Sequence, residues 1–374
     1  MIETQKFAKL LTQRFDFFTG VPDSLLKSLC AYFTTNLSKD KHIIAANEGN
    51  AVALAAGHFL ASGKRGAPAV VYMQNSGMGN ALNPLISLND PKVYSIPVLL
   101  LIGWRGEPNI KDEPQHIKQG EITRNLLECV GLEYDVLSDD FDAAVLQVEN
   151  AYKYLLNKNA PYALVIRKNA FDDYKKPLIA DISEIIREQA IEKIVENAKE
   201  AVFVSTTGMI SRELFEIREK NKQSHKQDFL TVGSMGHSSS IALGIALEKK
   251  DRKIICLDGD GAALMHLGAM AIIADRQPKN FVHIVLNNAA HDSVGGQPTP
   301  AFGANLFKIA RAAGYKTAVR ISNIEELDKI GEYLNSESPI FIEILVKKGS
   351  RKDLGRPNQS PAECKINFME NLKL

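Results

Sequence analysis

A chain of 374 residues is too long for one ordinary core and suits two domains. Hydrophobic content of 45%, charged content of 24% and a net charge of +1 fit a water-soluble globular protein, and exclude a global field for nucleic acid or an anionic membrane. No apolar run reaches bilayer length, MIETQKFAKLLTQRF has neither signal-peptide core nor cleavage pattern, and Cys30, Cys129, Cys256 and Cys364 lack paired metal spacing, which predicts a reduced, cytoplasmic protein.

Short β-rich runs alternate with helical patterns along the chain. Strands are expected at Ile43–Ala46, Ala69–Met73, Val98–Ile102 and Ala163–Ile166. After them come Ala201–Ser205, Ile254–Leu257, Val282–Leu286 and Phe341–Val346, with helices such as Asn50–Ala61, Ile241–Glu248 and Ala262–Ala274 between strands. The alternation predicts α/β architecture: two doubly wound parallel sheets, each covered by helices on both faces. The charged, proline-containing stretch FDDYKKPLIADISEIIR interrupts the pattern, so the expected division is a domain over 1–175, a linker over 176–187 and a second domain over 188–374.

Chemistry concentrates where strands end. The strand at Ile254 runs into Gly259-Asp260-Gly261, and residues 262–286 lead to a further strand that delivers Asn287-Asn288. Glycines let backbone N–H groups approach a phosphate while the aspartate faces its counter-cation, and an amide at a neighbouring strand end adds a second hard oxygen. Gly-Asp-Gly alone is a common tight turn; the order strand, Gly-Asp-Gly, helix, strand, Asn-Asn is far more selective. In the first half, Glu48 closes a strand and opens a helix of small residues, Ala51 to Gly57, although a carboxylate at a helix start is also ordinary dipole stabilisation. The polar loop Gln74 to Ala81, with Asn75 and Ser76, lies at a strand's C-terminal end, where α/β proteins place ligand contacts. The loop after Gly103 carries Arg105, Lys111, His116 and Lys118, each of which could equally be a solvated surface residue. Thr206-Thr207-Gly208 ends another strand and suits diphosphate oxygens.

The Gly-Asp-Gly and Asn-Asn segment resembles the cofactor motif of thiamine diphosphate (ThDP) enzymes. That resemblance implies Mg²⁺ held by Asp260, Asn288 and the Ala290 carbonyl, with Thr207, Gly208, Gly261 and Ala262 about the cofactor. It further implies that Gly233 accepts from the aminopyrimidine and that Met235 wedges between the two rings, although an isolated methionine is more often core filler. Glu48 becomes the acid that bonds the pyrimidine nitrogen and drives the cofactor's tautomer cycle.

Length, domain order and several loops are similar to those of the phosphonopyruvate decarboxylases. The segments that carry this are Phe18 to Ser24, Asp112 to His116, Ser205 to Leu214, Asn288 to Thr299 and Gly349 to Pro357. The implied architecture is a pyrimidine-binding domain followed by a diphosphate-binding domain. The implied reaction converts 3-phosphonopyruvate to phosphonoacetaldehyde and CO₂, in phosphonate biosynthesis, with the thiazolium as electron sink. Residues offered for the anionic 2-oxo acid are Asp23, Asn75, Ser76, Arg105, His116, His291, Asp292, Arg351 and Lys352, with Lys111 and Arg356 as further cations and His237 as a further proton relay. The resemblance also implies a homo-oligomer, at least a dimer with shared active sites, and neither nucleic acid nor membrane as partner. The alternatives are a sulfopyruvate decarboxylase, whose substrate carries one charge less, and a ThDP-binding protein without catalysis, which would not need Glu48. A dinucleotide dehydrogenase is disfavoured because no strand leads into G-x-G-x-x-G with an acidic residue at the usual distance.

Overall fold

The structure is a computed structural model that describes residues 1–63, 67–174 and 180–373. Its contacts divide the chain into two compact units, Met1–Leu178 with Val294–Gln297, and Ile179–Ser293 with Pro298–Leu374. Residues 175–179, where the expected linker begins, lie outside the described residues. Farther along that stretch, Ile185 is buried in the core of the second unit and helix Arg187–Asn197 follows at once.

The first unit is built on a parallel sheet of β1 (Phe18–Gly20), β2 (His42–Ile44), β3 (Ala69–Gln74), β4 (Val98–Gly103), β5 (Glu133–Val136) and β6 (Tyr162–Ile166). Their spatial order is β2-β1-β3-β4-β6-β5. The runs AVVYMQ and VLLLIG are apolar almost throughout because both faces of a central parallel strand are covered, and β4 is buried at every position. One core cluster, around Phe7, Phe33, Tyr72 and Leu155, fills one set of packing positions; another, around Val52, Met73, Leu100 and Trp104, fills a second.

The second unit repeats the plan with β7 (Val202–Ser205), β8 (Asp228–Leu230), β9 (Ile254–Gly259), β10 (Phe281–Asn287), β11 (Thr317–Ile321) and β12 (Ile340–Leu345). Here the order is β11-β12-β10-β9-β7-β8, again parallel. The last strand of each sheet is inserted back, β6 between β4 and β5 and β12 between β10 and β11, and strand addition also reverses between β1 and β3 in the first sheet and between β7 and β9 in the second. Crevices at the carboxyl ends of such strand pairs are where open α/β sheets bind ligands. Those ends carry Asp23 and Gln74 in the first unit, and Thr206–Gly208 and Gly259–Gly261 in the second.

Four strands of the two six-stranded sheets escaped the sequence reading: β1, β5, β8 and β11. FTG and DFL are three residues each, and EYDV and TAVRI carry polar side chains, so none shows a long apolar run. The expected strand to Ala46 stops at Ile44. The helix expected over 262–274 is two helices, Asp260–Met265 and Ala269–Arg276, because the backbone leaves helical geometry at His266 (φ −130°, ψ 51°).

Candidate functional site

In the first unit Glu48 is the first residue of helix Glu48–Ala61. Asn47 caps that helix, its side chain accepting from the Gly49 N–H at 2.8 Å, which fixes the turn out of β2. Glu48 is 5% exposed, and the Asn80 amide donates to its Oε2 at 2.8 Å. Burial therefore raises its pKa, opposed by the Asn80 hydrogen bond. A Cβ at Gly77 would lie 2.5 Å from Glu48 Oε1, so only glycine lets the loop after β3 close over the acid. Asn80 and Gly77 belong to the polar loop expected to contact ligand, and their link to Glu48 leaves no signal in the sequence. A side chain's aim across two strand ends cannot be read from spacing.

Beside it lies a polar chain. Asp23, fully buried, accepts from Gln74 Nε2 at 2.7 Å and from the Leu25 N–H at 2.9 Å, and Ser76 Oγ donates to Gln74 Oε1 at 2.7 Å. Asn75 donates to the Arg105 carbonyl and to Thr123 Oγ1, at 2.8 and 2.9 Å. The structure thus brings together Asp23, Ser76 and Gln74. Arg105 is committed elsewhere: its guanidinium grips Asp112 through two N–H groups and donates to Ser24 Oγ at 2.7 Å. Despite the cost of burying it, that guanidinium with the Glu113 and Gly106 N–H groups holds the Asp112 carboxyl well below the usual range. His116 is buried, and burial first, then Arg105, lower its pKa; its Nδ1 has no partner among the described residues. Lys111 is exposed.

In the second unit Asp260 is 3% exposed, and Oδ2 accepts a short hydrogen bond from Thr299 Oγ1. Burial pushes this carboxyl up to about 7, against the restraint of Thr299 and of backbone N–H groups, with no cation among the contributions and Asp292 adding to the rise. A carboxylate desolvated in this way fits a site that receives a divalent cation. Asn288 lies at the end of the adjacent strand, its Oδ1 accepting from the Ala290 N–H at 3.0 Å and its Nδ2 donating to Asp292 at 2.6 Å. The turn between them places Ala289 at φ 56°, and Asn287 is fixed by the buried Glu343 at 2.7 Å. Oxygen donors on these strand ends are the type magnesium selects.

Gly233 N donates to Thr207 Oγ1 at 3.2 Å, joining two of the segments expected at the cofactor. Gly208 has φ +102°, and a Cβ there would meet Ser293 Oγ at 2.9 Å. At Gly261 a Cβ would lie 2.8 Å from His291 Cε1 and 3.6 Å from Met235 Cε, so Gly261, His291 and Met235 are neighbours. The buried hydroxyls of Thr206 and Thr231 have no hydrogen-bond partner among the described residues, as donors reserved for a ligand would have none. Ala262 is buried in the short helix opened by Asp260. Burial lowers His291 to about 4, which keeps the ring neutral near pH 7. His237 stacks on His266 at 4.3 Å.

On the C-terminal segment Arg351 binds Glu188 at 3.2 Å, Asp353 at 3.0 Å and also Glu216. Arg105 and Arg351 thus each already face carboxylates. Lys352 is exposed.

Residues 4–127 match the thiamine pyrophosphate enzyme N-terminal TPP-binding domain and residues 206–344 the C-terminal TPP-binding domain. The chain is 32% identical over 364 residues to a phosphonopyruvate decarboxylase of Streptomyces viridochromogenes, covering 91% of this chain and 88% of that one. A phosphonopyruvate decarboxylase of Streptomyces hygroscopicus is 33% identical over 371 residues, with 94% and 89% covered. This chain belongs to the phosphonopyruvate decarboxylase family of thiamine pyrophosphate enzymes. A sulfopyruvate decarboxylase of Methanosarcina acetivorans is also similar, at 27% identity over 382 residues and 96% and 94% coverage.

Family membership makes both units thiamine-pyrophosphate-binding and gives the two α/β sheets their common plan. The sequence did not single out as site residues Asn80 and Thr299, partners of Glu48 and Asp260, or Glu343, which holds Asn287; Asp292, expected at the substrate, holds Asn288. Thr299 ended a segment already singled out, which was its one signal. Glu343 sits inside an apolar strand and gave none.

Proposed function

We propose that this protein decarboxylates 3-phosphonopyruvate to phosphonoacetaldehyde and CO₂, using ThDP and Mg²⁺, as a step of phosphonate biosynthesis. The first unit is the pyrimidine-binding domain and the second the diphosphate-binding domain, with the boundary near residues 176–187. Asp260, Asn288 and the Ala290 carbonyl would hold Mg²⁺. Thr207, Gly208, Gly233, Met235, Gly261 and Ala262 would hold ThDP. When bound, the cofactor supplies an electron sink for the pair released as CO₂ leaves.

The observation that carries this reading is Glu48, a buried acid that accepts from the Asn80 amide. Burial raises its pKa, which favours the protonated form that can donate to a ring nitrogen and take that proton back, as a solvated or ion-paired carboxylate does poorly. Asp23, Gln74, Ser76, Asn75, His116 and His291 are the polar groups proposed around the substrate; neutral His291 and His116 suit proton relay. Lys352 and Lys111 are the cations proposed for the phosphonate, since Arg105 and Arg351 serve as structural ion pairs. The active assembly is a homo-oligomer of at least two copies, with Glu48 of one copy serving a cofactor held by Asp260 of another. A cytoplasmic setting belongs to the same proposal and is consistent with four unpaired cysteines.

A sulfopyruvate substrate is the second reading, favoured by the Methanosarcina acetivorans relative. Measuring CO₂ release from phosphonopyruvate and sulfopyruvate at matched concentrations, with ThDP and Mg²⁺ present, separates them. Higher kcat/KM for phosphonopyruvate is expected; preference for the sulfonate would replace the substrate assignment, and no release from either would remove the reading.

A further inference from the structure

The proposed metal ligand Asn288 is held by a chain of buried charges that the cofactor assignment does not use. Arg187, 4% exposed, forms a two-pronged pair with Glu213, Nε to Oε2 at 2.8 Å and Nη2 to Oε1 at 2.9 Å. A planar guanidinium fixed along one edge has its other N–H groups fixed as well. The free corner Nη1 donates to Asp292 Oδ2 at 3.1 Å, and Nη2 also reaches the Gly349 carbonyl at 3.3 Å. Asp292 Oδ2 accepts twice more, from the Gly349 N–H at 2.9 Å and from Asn288 Nδ2 at 2.6 Å. Glu213, Asp292 and Gly349 come from three segments that resemble the family.

The amide of Asn288 offers an oxygen and an NH₂, and only the oxygen can bind a hard cation. With the NH₂ committed to Asp292, the oxygen is turned away from it, toward the Ala290 N–H. Resting on the ThDP–Mg²⁺ reading above, we propose that Asp292, fixed by Arg187, Glu213 and Gly349, is a positioning residue that orients the Asn288 amide with its oxygen toward the metal. Asp292 is thus reassigned from substrate contact to support of the metal site, and it ties that site to the C-terminal segment. Partners behind a metal ligand characteristically change metal affinity by 10- to 100-fold on removal.

The test titrates the intact protein, with ThDP present, with Mn²⁺, following the electron paramagnetic resonance signal of the free ion. Far-UV circular dichroism and thermal melts run in parallel. Asp292→Ala is expected to weaken Mn²⁺ binding about 10- to 100-fold while remaining folded. Asp292→Asn keeps an acceptor oxygen for Asn288 and is expected to recover most of that loss. Arg187→Lys keeps the charge opposite Glu213 but loses the fork to Asp292, and is expected to show a smaller weakening in the same direction. Parental Mn²⁺ affinity in Asp292→Ala would overturn the positioning role, as would equal losses in the Ala and Asn variants. If Asp292→Ala does not fold, parental affinity in Arg187→Lys overturns it instead. A parent protein that binds no Mn²⁺ with ThDP would overturn the cofactor reading beneath it, a distinct result.

Discussion

Glu48 combines near-complete burial, an amide neighbour and no ion pair among the described residues, and each has a consequence for turnover. Glu48→Gln keeps shape and the Asn80 contact but cannot exchange a proton. Decarboxylation is expected to fall about 10²- to 10⁴-fold with unchanged thermal stability, and a kinetic assay showing parental turnover would remove Glu48 from the mechanism. His42 makes a different prediction at the same scale. It sits among Phe33 and Tyr72, its Nε2 2.8 Å from the Tyr72 hydroxyl, and burial lowers its pKa to about 4. The neutral ring costs nothing above pH 6.5. As pH falls from 6.5 toward 4 the unfolded chain takes up a proton that the folded chain refuses, so stability is lost across that window. Denaturant titrations at pH 7.5 and pH 4.5 should show the parent losing more stability than His42→Gln. The difference should approach about 3 kcal/mol, and equal losses would contradict a neutral buried ring.

Among elements, the loop after β4 and helix Pro114–Cys129 meet through two glycines. A Cβ on Gly120 would fall within bonding range of the Gly106 carbonyl, Gly106 itself has φ +70°, and Trp104 Nε1 donates to the Gly120 carbonyl at 2.9 Å. This contact lets the helix lie close enough to bury His116 while Arg105 and Asp112 seal the loop. Gly120→Ala must separate backbone from backbone and is expected to cost about 3 kcal/mol or more, read as a lower melting temperature. A parental melt would show that the helix can shift freely. Gly77, closed over Glu48, and Gly261, closed under His291, use the same device at the two proposed half-sites.

For the molecule as a whole, the two units carry complementary halves of the proposed chemistry, an acid in one and a metal-binding turn in the other. If active sites are shared between copies, Glu48→Gln and Asp260→Ala are each inactive alone. Co-refolded, they should regain activity, because one site of a mixed dimer has both parental groups. Random pairing predicts about a quarter of parental activity, and light scattering should report at least a dimer. A mixture as inactive as its parents would refute shared sites, and calorimetry showing normal Mg²⁺-dependent ThDP binding by Asp260→Ala would refute the metal role.

Much of this protein is legible along the chain because its chemistry stands at strand ends. A run such as Ile254–Leu257 announces a buried parallel strand, and the residues that follow it must lie at the edge of the sheet, so Gly-Asp-Gly, Asn-Asn and Glu48 declare both place and chemistry together. Short strands such as Phe18–Gly20 are decided by neighbours that supply the hydrogen bonds, and leave no periodicity to read. Charge was the least legible property. Arginine looks alike in sequence whether it awaits a phosphonate or, as Arg351 and Arg105 do, already faces carboxylates. Ion pairing depends on which loops converge, and only the folded chain brings residues as distant as Arg187, Glu213, Asp292 and Gly349 within hydrogen-bonding reach.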